Sequence, residues 1–304
     1  MASFVAMLPG DIAQGLIWGI MALGVYITFR ILNFADMTVD GTFALGGAVT
    51  VMLTISGMPI GLALIIATLT GVLAGLSTGF LHICLGIPDI LAGILVQMAL
   101  YSVNLNIMKA SNKALSVDKY VLLVSLRYIV PTIITSLIFV AVVIAVMYWY
   151  FGTAQGSAIR ATGNNMNMAR AQGINIGTMK VIGLALSNGL VALSGGLIAQ
   201  YQGFADINMG RGSIVIGLAA VIIGEVLGNA IFGKKMNFAL RMIFVVLGAI
   251  IYYIVIGIVL WLRFPSEDLK LFTTVIVAIF MAVPYLRERA VNSYSKAGKK
   301  GGKS

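Results

Sequence analysis

Nine runs of predominantly apolar residues, near 12–30, 41–57, 59–82, 89–108, 130–151, 178–202, 213–233, 238–262 and 269–285, dictate most of what this 304-residue chain can become. An α-helix rises about 1.5 Å per residue, so roughly 20 apolar residues cross the ~30 Å hydrocarbon core of a bilayer. Lipid offers no partner to a backbone N–H or C=O, and each crossing segment must therefore close its hydrogen bonds internally, as a helix does. The runs predict an all-α, polytopic transmembrane helical bundle of about 8–10 spans. The run at 41–57 sits at the short limit and reads as a broken or tilted crossing. Gly57-Met-Pro59, Gly86-Ile-Pro88 and Phe264-Pro265 fall between runs, where turns belong. No block between runs is long enough for an appended soluble domain. Residues 1–304 thus read as a single transmembrane domain with a polar loop at 152–177 and a basic tail at 286–304.

Composition closes off several function classes. With 60% hydrophobic and 10% charged residues, the chain is an integral membrane protein. A single cysteine, Cys84, excludes an internal disulfide, and a single histidine, His82, argues against a metal centre or histidine-based catalysis. No cofactor and no metal are expected. The +10 net charge fits basic residues gathered at membrane ends, with Lys299, Lys300 and Lys303 placed to touch anionic lipid heads. Nucleic-acid binding would need a soluble basic face, and the sequence has none. The tail from Ala297 to Ser304 nearly spells a phosphate-binding loop, but Ala297 replaces the first glycine and no helix follows. By that route the chain does not hydrolyse ATP, so an energised transporter built on it needs a separate ATPase.

Charge also orients the bundle. With a cytoplasmic C-terminus, the inside takes Arg30, Arg160, Arg170, Lys180, Lys234, Lys235, Arg241 and the basic tail. The outside takes Lys109, Lys113, Lys119, Arg127, Arg211, Arg263 and Lys270. The bias favours this orientation and rests on the tail, since without it the two faces carry equal numbers. The loop at 152–177 then faces the cytoplasm.

Within that loop Gly163 and Gly173 bracket residues 164–172, a stretch of Met, Ala, Arg and Gln with Asn at its start as a cap. Such a helix would span only ~14 Å, too short and too polar to cross lipid. The plain alternative is a loop with a frayed helical turn.

These residues carry a resemblance. The pattern Gly163-x-Asn165-x-x-x-Ala169-x-x-x-Gly173-Ile174, with Arg160 just before it, resembles the cytoplasmic loop of ABC-importer permeases of the branched-chain amino acid and ribose class. Asn33-Phe34-Ala35-Asp36 with Gly41 to Ala48, and Gly217 to Gly224, resemble two further segments of that family, although Glu225 stands where the family has a second glycine. The Asn-Phe-Ala-Asp and Asp-Gly-Thr variant looks most like amino-acid-type members paired with a lipoprotein binding protein. The resemblance implies that Arg160, Gly163, Asn165, Ala169, Gly173 and Ile174 form a coupling helix docked on a cytoplasmic ABC ATPase. Ala169 would face the ATPase groove, and the two glycines would provide the sharp exits. It also implies an extracytoplasmic substrate-binding protein, a second permease chain in a homodimer, a bacterial cell membrane location, and no covalent chemistry in this chain. The substrate would be an amino acid or another small polar solute.

Some residues remain open between packing and function. Gly71, Gly75 and Gly79 share one helix face and suit internal packing better than a dimer seam. Asn104 and Asn188, on apolar runs, are either helix–helix glue or lining of a translocation path. Glu225 is the foremost intramembrane charge; it either reaches toward the interface beside Lys234 and Lys235 or faces a path. In the latter case an ion-gradient-driven secondary transporter becomes the rival reading, one that also predicts inverted repeats.

Overall fold

The computed structural model describes residues 2–233 and 236–262, with isolated positions at 271, 274, 275, 278 and 282. In chain order it comprises α1 (Ala2–Tyr26), a π-helical turn (Ile27–Ile31), α2 (Val39–Ile55), α3 (Ile60–Cys84) and α4 (Asp89–Met108). A short strand β1 (Asn112–Ala114) precedes α5 (Ile129–Gly152), α6 (Ala154–Asn164), α7 (Met166–Ala171) and α8 (Ile176–Gln202). Strand β2 (Phe204–Asp206), α9 (Ser213–Phe232) and α10 (Phe238–Trp261) complete the order. Among the described residues seven helices are long and apolar enough to cross a membrane, and α2 is a shorter apolar one. The chain is an all-α polytopic helical bundle. The ninth run, at 269–285, falls almost wholly outside the described residues, as do Lys234, Lys235 and the tail 286–304.

The spans are not equivalent. The first span is 83% buried and α8 is 72% buried, whereas α5 is only 22% buried and turns Ile134, Leu137, Ile138 and Val142 outward. Such a face would be an aggregation liability in water; in lipid it is the solvated side. The bundle therefore has α1 and α8 at its centre, with α3, α4 and α5 presenting much apolar surface outward.

Membrane helices associate through close packing and interhelical hydrogen bonds, since lipid tails are as apolar as leucine. A Cβ added to Gly71 or Gly75 would run into the carbonyl of Asn188 or Leu184, and one on Gly79 would lie 2.9 Å from Val181 Cγ2. The three glycines thus seat α3 directly on α8. On the other side of α8, the hydroxyls of Ser187 and Ser194 donate to the carbonyls of Gly24 and Ile17, each at 2.8 Å, and fasten it to α1.

The short second crossing is broken. Asn33 takes a left-handed φ of 53°, and an irregular stretch at 32–38 then runs back into the bundle before α2 begins beside the midpoint of α8. The non-helical residues before α2 thus account for part of the depth that the 17-residue helix does not span. At the opposite end of the bundle β1 pairs antiparallel with β2, Asn112 facing Asp206.

Candidate functional site

The segment joining α5 to α8 is built from caps. Thr153 Oγ1 accepts from the Gly156 N–H at 3.2 Å and starts α6. Asn165 is extended (φ −155°), so the helix breaks there, and its Oδ1 accepts from the Met168 N–H at 3.0 Å to start α7. At the far end the Gly173 N–H donates to the Arg170 carbonyl (3.0 Å) and the Ile174 N–H to the Ala169 carbonyl (3.1 Å), with Gly173 at φ +78°. This is the paired-bond glycine terminus that satisfies the last carbonyls of a helix. Asn175 Oδ1 then caps α8 through the Thr178 N–H at 3.2 Å.

Three expectations for this segment change. The helix expected over 164–172 is shorter, α7 at Met166–Ala171 with the expected asparagine cap at Asn165, and an unforeseen helix, α6, precedes it and runs through Gly163 to Asn164. Gly163 is not a left-handed exit; it lies inside α6 in helical backbone, and a Cβ there would collide with the Ile31 carbonyl. Ala169, expected to face a partner, is only 2% exposed because it sits on the inner side of α7. The outward side carries Met166, Asn167, Met168 and Arg170, with Met168 62% exposed. Ile174 is half-buried and Gly173 exposed. Arg160 turns away from α7: its Nη2 donates to Ser157 Oγ (3.1 Å) and its guanidinium lies 5.8 Å from the Phe238 ring centre.

A second polar feature lies in the middle of the bundle. Asp36 is buried, its Oδ1 accepting from the Thr38 N–H (2.9 Å) and its Oδ2 from the Asn188 amide (2.7 Å). Asn188 Oδ1 accepts from the Thr42 hydroxyl at 2.8 Å, and the Thr38 and Thr78 hydroxyls bond at 2.6 Å. All polar atoms of the Asn188 side chain are used inside the chain, which makes it glue between α8 and the broken crossing. Asp40, in the first turn of α2, accepts from the Gly212 N–H (2.8 Å), the Ser213 hydroxyl (2.9 Å) and the Ile214 N–H (2.9 Å). It therefore caps α9 from another helix, where the amide dipoles favour a carboxylate. Because α2 begins at mid-bundle, α9 begins there too, and residues 204–212 descend to that depth. In the sequence alone, Asp36 and Asp40 look like ordinary groups ordering the loop after the first span. Their spacing, one at each side of the α2 start, was the available signal.

Asn104 faces this region from α4. It is fully buried, its Nδ2 donates to the Gly41 carbonyl at 3.3 Å, and its Oδ1 has no partner. Beside it opens a cleft of about 390 Å³ lined by Asp40, Gln97, Tyr101, Asn208 and Arg211. Glu225 lies elsewhere, toward the α6–α7 end, where its Oε1 accepts from Arg30 Nε at 2.6 Å. That partner stands 195 residues away and was not foreseen.

Irregular backbone at mid-depth is kept in a membrane bundle where it is buried in protein or lines a cavity, a design shared by proteins that move solutes across bilayers. The architecture is that of a multi-pass membrane transport protein. Residues 10–284 match the family described as "Branched-chain amino acid transport system / permease component", and the chain belongs to that family, a permease component of an ABC-type transport system. It is similar to a "Tyrosine transport system permease protein" of Clostridioides difficile (strain R20291), 40% identical over 269 residues, 88% of each chain. It is also similar to an uncharacterized protein of Rickettsia prowazekii (strain Madrid E), 35% identical over 276 residues, 88% of this chain and 94% of the relative. No solved structure matches it.

Proposed function

We propose that this chain is the translocation subunit of a bacterial importer for an amino acid, driven through α7 by a separate cytoplasmic ATPase. The observation that carries the reading is the outward side of α7: a helix fixed by caps at both ends, with Met166, Met168 and Arg170 exposed. Asn165, Gly173 and Ile174 build that helix, Ala169 seats it on the bundle, Gly163 seats the preceding α6 on the first span, and none of these five residues is itself the main contact.

Two copies of the chain form the pore, each carrying one ATPase, and an extracytoplasmic binding protein delivers the substrate. ATP is held and hydrolysed by the partner, and this subunit makes and breaks no covalent bond. It lies in the plasma membrane with the α6–α7 end and the tail cytoplasmic. The tyrosine-transport relative supports an amino acid as cargo, with tyrosine the first to test. The cleft beside Asn104, with its unpartnered carbonyl and polar neighbours Gln97, Tyr101 and Asn208, is the stretch of path proposed here.

Met168→Asp places a charge on the exposed side of α7 without touching the packed side. The variant should express and insert normally, lose co-purification with its ATPase, and lose uptake. Normal uptake with the ATPase still bound would remove α7 as the docking element.

A further inference from the structure

Three arginines converge at the α6–α7 end of the bundle. Arg30 closes the first span, Arg160 sits on α6 and Arg241 lies in the first turn of α10. Together with Tyr26, Phe29 and Phe238 they line a cleft of about 530 Å³. Arg160 and Phe238 also form the shared wall of an adjoining cleft of about 650 Å³, bordered by Tyr148 and Trp149. Only Arg30 has a carboxylate partner, Glu225 at 2.6 Å. Among the described residues no acid lies within ion-pair distance of Arg160 or Arg241; the former lies over the Phe238 ring and the latter lines the same cleft as Tyr26. Neither cleft has an acid in its described lining. Three guanidinium groups against one carboxylate leave an excess of positive charge in two adjoining hollows.

The position of the clefts selects the anion. Each of the three arginines and both rim aromatics stands at the end of a membrane helix or on the helix that follows it, the level where tryptophan and tyrosine meet lipid headgroups. Trp149 is 71% exposed on α5, whose outer side is apolar along its length, so the second cleft opens on lipid and not on the outward face of α7. Basic pockets between helices at such a boundary suit a phosphodiester on an anchored lipid. Arginine adds the planar fork that grips two phosphate oxygens at once.

We propose that these adjoining clefts bind the phosphate headgroup of an anionic phospholipid, with Arg160 and Arg241 contacting the phosphate and the acyl chains lying along α5. The site is distinct from the α7 docking surface and does not depend on it.

The test is thermal unfolding of the purified full chain in detergent, titrated separately with phosphatidylglycerol, phosphatidylcholine and inorganic phosphate. Phosphatidylglycerol should raise the melting temperature saturably, while the zwitterionic lipid and free phosphate should not. Each arginine removed should shift the titration midpoint roughly fivefold, so Arg160→Gln shifts it about fivefold and the Arg160→Gln, Arg241→Gln pair about 25-fold. Arg160→Lys, which keeps the charge, should retain discrimination between the two lipids. Should the double variant misfold, native mass spectrometry of the wild type reads the same property as selective retention of phosphatidylglycerol. Equal stabilisation by both lipids, or an unshifted midpoint in Arg160→Gln, overturns the proposal. So does full stabilisation by inorganic phosphate, which would make this a free-anion site.

Discussion

Replacing Asn188 by leucine asks whether the mid-bundle network holds the two helices that start there. The side chains are close in volume, so the change removes polarity with little cavity. Asp36 Oδ2 loses its donor at 2.7 Å, and the Thr42 hydroxyl loses one acceptor but keeps the Thr38 carbonyl at 3.1 Å. Asp36 retains the Thr38 N–H at 2.9 Å, so it is weakened and not stranded. A hydrogen bond to a charged group contributes about 1.5–3 kcal/mol, and a buried acceptor left short of donors costs a similar amount. A loss of about 2–3 kcal/mol is expected, which at about 2–4 °C per kcal/mol lowers the melting temperature by roughly 4–12 °C. The assay is thermal unfolding in detergent at neutral pH, in a double-mutant cycle with Asp36→Asn. If the network transmits the loss through the carboxylate, Asn188→Leu should cost less than half as much in the Asp36→Asn background. A shift under about 1 °C, or equal costs in both backgrounds, refutes the reasoning.

Gly163→Val should destabilise by about 1–3 kcal/mol, because the added side chain meets the Ile31 carbonyl; a wild-type melting temperature would show that α6 does not sit on the first span as described. Glu225→Gln leaves Arg30 unpaired at a site where the arginine is 54% exposed, so it should cost no more than about 1 kcal/mol and leave uptake near wild type. Proton-dependent uptake abolished by that same substitution would instead favour an ion-gradient mechanism. In a Cys84→Ala background, Ser111→Cys should be labelled from outside intact cells and Ser157→Cys should not; labelling of Ser157→Cys reverses the proposed orientation.

The spans were legible because the signal is long and redundant: eight apolar runs within the described residues each became a helix, seven of them within a few residues of the expected bounds, while α1 starts at Ala2, well before the run at 12–30. Gly71, Gly75 and Gly79 were legible as a packing face because helical spacing alone puts them together. Asp36, Asp40 and the Arg30–Glu225 pair were not, since each depends on partners more than 100 residues away and polar side chains give no long-range period. The α6–α7 segment failed differently. The asparagine cap at the start of α7 was legible, but nothing in the sequence shows that Gly163 would stay inside a preceding helix and serve a close approach. Ala169 was read outward because small residues suit interfaces; they suit a tightly packed inner side equally well.

The same geometry explains how a short surface helix can act on the middle of the membrane. Gly163 brings α6 against the backbone of Ile31 and Leu32, where the first span ends. From Leu32 the chain runs through Asn33 and Phe34 to Asp36, which bonds Asn188 and the N–H of Thr38, the residue just before α2. Asp40, one helical turn on, grips the start of α9 through three hydrogen bonds. A displacement of α7, as proposed for ATPase closure, is therefore applied at the base of a short segment whose other end ties together α2, α8 and α9. Packed interfaces of this kind switch between discrete arrangements more readily than they deform. Both helix starts beside the Asn104 cleft would then move as one unit, which is the motion a path needs to open on one side while closing on the other.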